Sequence, residues 1–298
     1  MARLALLFAT VVWGATFLVV ERGIADLPVF HLLAYRFSLG ALLLAPLAWW
    51  RLRRRGRRPE WRPLLRDGVL IGLVLFAGYS FQTFGLLWTT PSRSAFLTGL
   101  SVLLVPAIGW LSGAVRPRGL ALAGVALAAA GLWALFQPWG GAAVAFNRGD
   151  ALTLGCAVAF AGHVLLVEHA VRRHPVVPLA ITQFLVVAAL SAPALLFEPP
   201  AARHLTADAV SAVVITGVFA TALAFACQLY AQRRLGAVET SVLLTLEPVA
   251  AAALSIAIGR EPLSWGLAVG GALILAGMLA TDVGSPPPEP PGAAAPRA

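Results

Sequence analysis

Ten stretches of this 298-residue chain are apolar over roughly the length a helix needs to cross a bilayer. A membrane-spanning helix takes about 20 apolar residues, because the hydrocarbon core is about 30 Å thick. The runs are Leu4–Val20, Val29–Trp50, Asp67–Trp88, Ser94–Gly113, Gly119–Phe136, Asp150–Val171, Val176–Phe197, Ala209–Tyr230, Val238–Ile258 and Leu263–Thr281. In lipid a backbone must satisfy its own polar groups, so such runs form helices rather than open strands. The expected fold is an all-α integral membrane protein with ten transmembrane helices. The first run follows Arg3 and could pass for a signal peptide. Its match to a later segment argues that it is a span.

Composition agrees. Only 12% of residues are charged, against 59% hydrophobic and a mean hydropathy of +0.84. Soluble domains carry roughly 25% charged residues. A chain with half that lacks the polar surface to cover a core in water, and has too much apolar material for disorder.

The runs fall into two related sets. Shifted by 147, Val20-Glu21 falls on Val167-Glu168, Pro28 on Pro175, Phe37 on Phe184 and Pro46 on Pro193. Further along the shift is 146, and Gln82 falls on Gln228, Leu97 on Leu243, Gly124 on Gly270 and Gly131 on Gly277. This is an internal duplication, with a first repeat over residues 1–138 and a second over 149–283. Five helices per repeat is an odd number, so the second copy must enter the membrane inverted relative to the first, as in many secondary transporters.

Charge tests that topology. The net charge of +9 comes with 22 basic residues, all Arg, eight of them between Arg51 and Arg66. With the N-terminus in the cytoplasm, 16 Arg fall inside and five outside (Arg22, Arg93, Arg148, Arg203 and Arg260), with Arg36 left within a helix. That is the positive-inside bias. It is not the footprint of nucleic-acid binding, and no nucleic-acid partner is expected. The expected location is the inner (plasma) membrane, with both termini cytoplasmic. The last segment, residues 284–298, is Pro-rich and reads as a disordered cytoplasmic tail. Cys156 and Cys227 lie in apolar runs, so a disulfide framework is not expected. No metal-ligand spacing is present, and the absence of Lys excludes a Walker lysine and a Schiff base. No cofactor or metal is expected.

Polar residues inside the spans are costly and each needs a reason. Glu247 sits mid-helix before Pro248, which frees a carbonyl one turn back and can open the helix locally. The pair reads as a substrate or proton site, or as a structural carboxyl bonded to a neighbouring helix; its repeat counterpart is Ser101. His163 matches Thr16 across the repeats. It reads either as a titratable site residue or as a satisfied structural histidine. Gln82 and Gln228 are counterparts, each with an aromatic one turn before it (Tyr79, Phe225). They suit hydrogen bonding to a solute, or interhelical glue. Trp13 and Phe17 share a helix face with Thr16, and Phe160 matches Trp13. These four either wall a cavity or simply pack. Arg36, matched by Gln183, reads first as an anchor snorkelling outward and second as a carboxylate partner. Gly266 and Gly270 form a GxxxG that favours close packing or dimer contact, and Gly124 and Gly131 act similarly.

In order and spacing these residues resemble the EamA-type branch of the drug/metabolite transporter superfamily, from Leu4 to Thr281. The carriers of the resemblance are Trp13-Gly14, Arg36-Phe37, Ala95–Leu100 leading to Pro106, Gly149-Asp150, Leu246-Glu247-Pro248-Val249 and Gly259–Ser264. The resemblance implies a central cavity lined by helices one, three, four, six, eight and nine, with alternating access and export or exchange of small organic solutes. Relatives handle amino acids, nucleotide sugars, phosphorylated sugars and drugs. One departure is Val115 where the second repeat has Glu261.

The expected protein is a secondary transporter, not an enzyme, moving a small metabolite such as an amino acid or related solute, or a drug. Its substrate site is expected to comprise Trp13, Thr16, Phe17, Tyr79, Gln82, Phe160, His163, Gln228 and Glu247. A passive facilitator is the alternative within transport. An intramembrane enzyme would need a facing nucleophile and base or a metal triad, and HExxH and GxSxG are both absent. A non-transporting scaffold has no reason to keep matched polar residues at mid-membrane. The expected partners are the solute and the bilayer. One chain holds both halves, so a monomer is sufficient and a dimer is compatible.

Overall fold

The computed structural model describes residues 1–55, 59–113, 119–136, 146–197, 206–259 and 265–284. Several expectations fall outside them: Arg57, Arg58, Val115, Arg116, Arg118, Arg203, the Arg260–Ser264 motif and the tail beyond Gly284, including Arg297.

Ten helical spans follow in order among the described residues. They are α1 (Ala2–Asp26), α2 (Val29–Arg55), α3 (Trp61–Gly85), α4 (Pro91–Leu111), α5 (Gly119–Phe136), α6 (Arg148–Arg173), α7 (Val176–Phe197), α8 (Ala207–Gln232), α9 (Ala237–Ala257) and α10 (Trp265–Gly284). Eight are long and apolar enough to cross a membrane, and α5 and α10 supply shorter apolar stretches. No strand occurs among the described residues. Helix α2 runs past Trp50 to Arg55. There Arg53 and Arg54 stack 4.0 and 4.4 Å from the rings of Trp49 and Trp50, so the basic stretch extends the helix at the membrane surface instead of ending it.

Local chemistry sets the helix starts. Thr90 caps α4, accepting from the Arg93 N–H, with Pro91 in the first turn. Asn147 and Asp150 form a reciprocal capping box at α6. Thr206 caps α8.

Three spans are not simple α-helices. Helix α9 breaks at Thr245, between Ala237–Leu244 and Leu246–Ala257. Pro248 has no N–H for the Leu244 carbonyl, so the expected local opening is present. Helix α4 breaks one residue away from the matching place, at Leu100. Helix α8 widens into a π-helix over Thr216–Leu223. Gly72 of α3 packs on Val186 of α7, and Gly217 of α8 packs on Leu39 of α2. Leu39 and Val186 are counterparts at the 147 shift, so Gly72 corresponds to Gly217 at a shift of 145, while Gln82 corresponds to Gln228 at 146. Helix α8 therefore holds one more residue than α3 over this stretch, and the wide turn absorbs it.

The two repeats pack about a twofold axis that inverts one onto the other. A Cβ at Gly124 would meet the Gly277 carbonyl oxygen at 2.6 Å, and one at Gly131 the Gly270 carbonyl oxygen at 2.7 Å. Gly124 corresponds to Gly270 in sequence and Gly131 to Gly277. Each glycine thus touches the other's counterpart, which requires α5 and α10 to run antiparallel across the axis. Phe37 and Phe184, counterparts in α2 and α7, meet with ring centroids 5.7 Å apart. Helix α3 packs on α6 as α8 packs on α1. Gly270 is occupied by this contact inside the chain.

Candidate functional site

Midway along the bundle, seven helices surround one cavity of about 760 Å³, including the space at its mouth. Every residue named above as a candidate reaches it. Helix α1 supplies Trp13, Thr16 and Phe17; α3 supplies Tyr79 and Gln82; α6 supplies Phe160 and His163. Helix α8 adds Gln228, and α9 adds Glu247 just beyond its break. The implied ring of helices one, three, four, six, eight and nine is present, and α2 joins it through Arg36.

The walls are aromatic and obey the twofold axis. Tyr79 and Phe160 meet edge to face at 5.3 Å, and their counterparts Phe225 and Trp13 do the same at 5.1 Å. Phe37 contacts Tyr79 at 5.1 Å as Phe184 contacts Phe225 at 5.5 Å. Edge-to-face pairs of this kind add about 0.5–1.5 kcal/mol each beyond area burial. The cavity therefore has a stiff frame.

The polar groups depart from the symmetry. His163 Nε2 donates to Gln183 Oε1 at 2.9 Å, with the histidine 2% exposed. The counterpart of His163, Thr16, instead donates to the carbonyl of Trp13 in its own helix. Gln82 donates to Thr98 Oγ1 at 3.4 Å. Gln228 is buried, and its Oε1 has no hydrogen-bond partner among the described residues. A buried orphan acceptor costs about 1–3 kcal/mol. Its presence on a cavity wall favours a ligand that brings a donor. Glu247 is half-buried on the wall, and none of the described residues bonds or pairs with its carboxylate. Its helix lies close to α1: a methyl group at Gly14 would run into the Glu247 backbone carbonyl and stand 2.8 Å from Ala250 Cβ.

Arg36 does not snorkel outward. It is 2% exposed and lines the cavity, with Nε donating to Thr221 Oγ1 at 3.2 Å. Its guanidinium lies 4.7 Å from the Tyr79 ring centroid and 5.2 Å from that of Phe37. A signal for this was present in sequence: the Arg36-Phe37 pair recurs as Gln183-Phe184. A surface anchor needs no polar counterpart. The wide turn of α8 serves both neighbours of the cavity, since Thr221 accepts from Arg36 and the Ala220 carbonyl accepts from Trp13 Nε1 at 2.8 Å.

An ion pair ties the bundle at each end. At the end where α1 begins, Arg3 of α1 meets Glu239 of α9 at 2.8 Å. At the other end, Arg93 of α4 meets Asp150 of α6 at 2.7 Å. Arg3 corresponds to Asp150 and Arg93 to Glu239. The two pairs are therefore one contact made twice with the charges exchanged, a relation legible in the sequence but absent from the expectations above. Thr89 also donates to Asp150, at 3.0 Å. Cys156 and Cys227 are free thiols.

The model of the EamA-like transporter family matches residues 1–137 and again 147–281. An uncharacterized transporter of Archaeoglobus fulgidus is 31% identical over 264 residues, covering 88% of this chain and 80% of that protein. A second uncharacterized transporter of the same organism is 32% identical over 132 residues, 44% of each chain. A solved crystal structure superposes with a TM-score of 0.77 at 24% identity, covering 95% of this chain and 96% of that one. That likeness concerns the fold.

Proposed function

We propose, from the premise that the chain belongs to the EamA-like transporter family, that it is a secondary carrier exporting or exchanging a small organic metabolite by alternating access. The family makes it a multi-pass membrane transporter of the drug/metabolite type. The cargo is an amino acid, a related solute or a drug, and the membrane is the inner (plasma) membrane with both termini cytoplasmic. Trp13, Thr16, Phe17, Tyr79, Gln82, Phe160, His163, Gln228 and Glu247 form the binding site.

One observation carries the reading: a single mid-bundle cavity takes polar and aromatic side chains from matched positions in both inverted repeats. Inverted-repeat carriers place solutes at that interface, beside discontinuous helices, and rock one repeat against the other. The breaks in α4 and α9 and the exchanged ion pairs at the two ends support that motion.

The test is purified protein in liposomes loaded with a pH dye, offered amino acids, sugars and cationic drugs as separate pools, with Glu247→Gln alongside. Solute-dependent flux, and protection of single cysteines at the nine positions by that solute, are expected. Proton movement that disappears in Glu247→Gln makes the carrier proton-coupled through that carboxyl. Counterflow without a pH signal in both proteins makes it an exchanger or facilitator. Flux with all nine cysteines unprotected refutes the placement of the site.

A further inference from the structure

The wide turn of α8 and the guanidinium of Arg36 belong to one device. We infer that Arg36 is the anchor for an oxyanion, a carboxylate or a phosphate, on the transported solute, and that Thr221 holds it in position. This inference rests on the cavity being a solute site, as argued above.

The burial of Arg36 needs a reason. A charged residue in a membrane span costs several kcal/mol unless it is paired or faces a wet cavity. No carboxylate pairs with Arg36 among the described residues; its polar neighbours are the Thr221 hydroxyl and the Tyr79 phenol. Two neutral oxygens do not occupy five N–H donors arranged as a planar fork. That fork matches the two oxygens of a carboxylate or phosphate.

Packing does not explain the charge. Gln183 fills the equivalent place in the second repeat, fully buried, beside Phe184 as Arg36 lies beside Phe37. A neutral amide therefore fits the packing at this position, its Oε1 accepting from His163 while its Nε2 has no partner among the described residues. Gln183 also bonds His163, whereas Thr16, in the equivalent place near Arg36, bonds within its own helix. One half ties a neutral amide to a histidine, and the other holds a cation on the cavity wall.

The tether points the same way. The residue inserted in α8 puts Thr221 Oγ1 3.2 Å from Arg36 Nε, so the tether uses the Nε–H and not the terminal nitrogens. A side chain held through Nε and stacked on Tyr79 has lost most of its rotamers before any solute arrives. An oxyanion then binds to a fixed fork, which is the benefit of preorganisation. On the same cavity wall, Gln228 Oε1 and the Glu247 carboxylate accept but do not donate in that form, so they suit the N–H end of the same solute.

Two readouts on the full-length protein test this. The first is thermal stabilisation in detergent by leucine, N-acetylleucine, leucinamide and phosphoserine, together with wider pools of carboxylates and sugar phosphates. The second is liposome counterflow of whichever probe stabilises. Probes bearing an oxyanion are expected to stabilise, and leucinamide is not. Arg36→Gln should weaken the response roughly tenfold or more. Arg36→Lys should recover part of it, and Thr221→Val, which keeps the guanidinium, should give an intermediate loss. Preference for a carboxylate or a phosphate among the probes identifies the source of the oxyanion.

Leucinamide stabilising as well as leucine, or an Arg36→Gln protein that is monodisperse and binds like wild type, overturns the assignment. So does a panel in which no oxyanion stabilises. Arg36-dependent binding without counterflow supports the anchor and refutes transport. Counterflow indifferent to Arg36 does the reverse.

Discussion

Weakening the Arg3–Glu239 pair should open the end of the bundle that bears the N-terminus. The two groups are 2.8 Å apart, with side-chain exposures of 47% and 9%. Coulomb attraction at that distance is roughly 6 kcal/mol at an effective dielectric of about 20, an upper bound before desolvation. Exposed pairs contribute about 0–1 kcal/mol, and removing one partner of a buried pair costs about 3–5. With one partner buried and one half in solvent, Glu239→Gln should lose about 1–2 kcal/mol, or roughly a 5–30-fold shift toward the open end. The assay is the labelling rate of a single cysteine at Leu244, a cavity residue, in a Cys156→Ala/Cys227→Ala background. The thiol reagent is confined to the terminus-bearing side of sealed vesicles. Glu239→Gln should speed labelling by that factor. The double exchange Arg3→Asp with Glu239→Arg should restore the slow rate, because Asp150 and Arg93 make the same contact in that polarity at the other end. An unchanged rate in Glu239→Gln, or a double exchange no slower than the single, would refute the gating argument.

Other outcomes are equally specific. Gly14→Val should push α1 off α9 at Glu247, costing about 1–3 kcal/mol as overpacking does; melting temperature and solute flux should both fall, and a variant with wild-type values for both would show the approach is not tight. Gly131→Val, on the α5–α10 crossing and not itself on the cavity wall, should lower the melting temperature by several degrees while leaving the apparent KM unchanged; a shift in KM would tie that crossing to the site. Trp13→Phe removes the 2.8 Å bond to Ala220 but keeps the aromatic wall, so it should cost about 0.5–1.5 kcal/mol in a denaturation series, and an unchanged midpoint would show that the bond contributes nothing.

The periodic and duplicated features were readable without coordinates because each rests on a one-dimensional rule. Span length, the one-sided excess of Arg and the matched shifts of Pro, Phe, Gln and Gly are all linear properties of the chain. The cavity residues were readable for a related reason: a polar group in lipid advertises its cost. Arg36 escaped because depth along a helix says nothing about which way a long side chain turns, and two turns from an end both snorkelling and inward burial are open to it. The wide turn of α8 escaped because a single inserted residue hides within the tolerance of a repeat alignment. It surfaces only when Gly72 and Gly217 are matched through what they pack against. The ion pairs at the two ends stay hidden in a match of like residues, because Arg3 with Asp150 is an opposition.

Where the repeats agree they mostly build the frame, and where they differ they set the polarity of the cavity. Phe37 with Phe184 and Gly124 with Gly270 are identical counterparts that pack on the axis. Arg36 with Gln183, Thr16 with His163 and Ser101 with Glu247 are unlike counterparts, and all but Gln183 line the cavity. A solute related to itself by no twofold axis can bind such a site in only one orientation, its oxyanion toward α2 and its donor end toward α9. The exchange Arg36→Gln with Gln183→Arg keeps the composition and moves the cation across the axis. If orientation is what the differences encode, this double variant should bind oxyanion probes no better than Arg36→Gln alone. It should also lose the His163 contact, while remaining folded by size-exclusion and melting behaviour. Recovery of wild-type affinity in the double variant would mean that the cavity reads net charge alone, and the positional argument for Arg36 would fail with it.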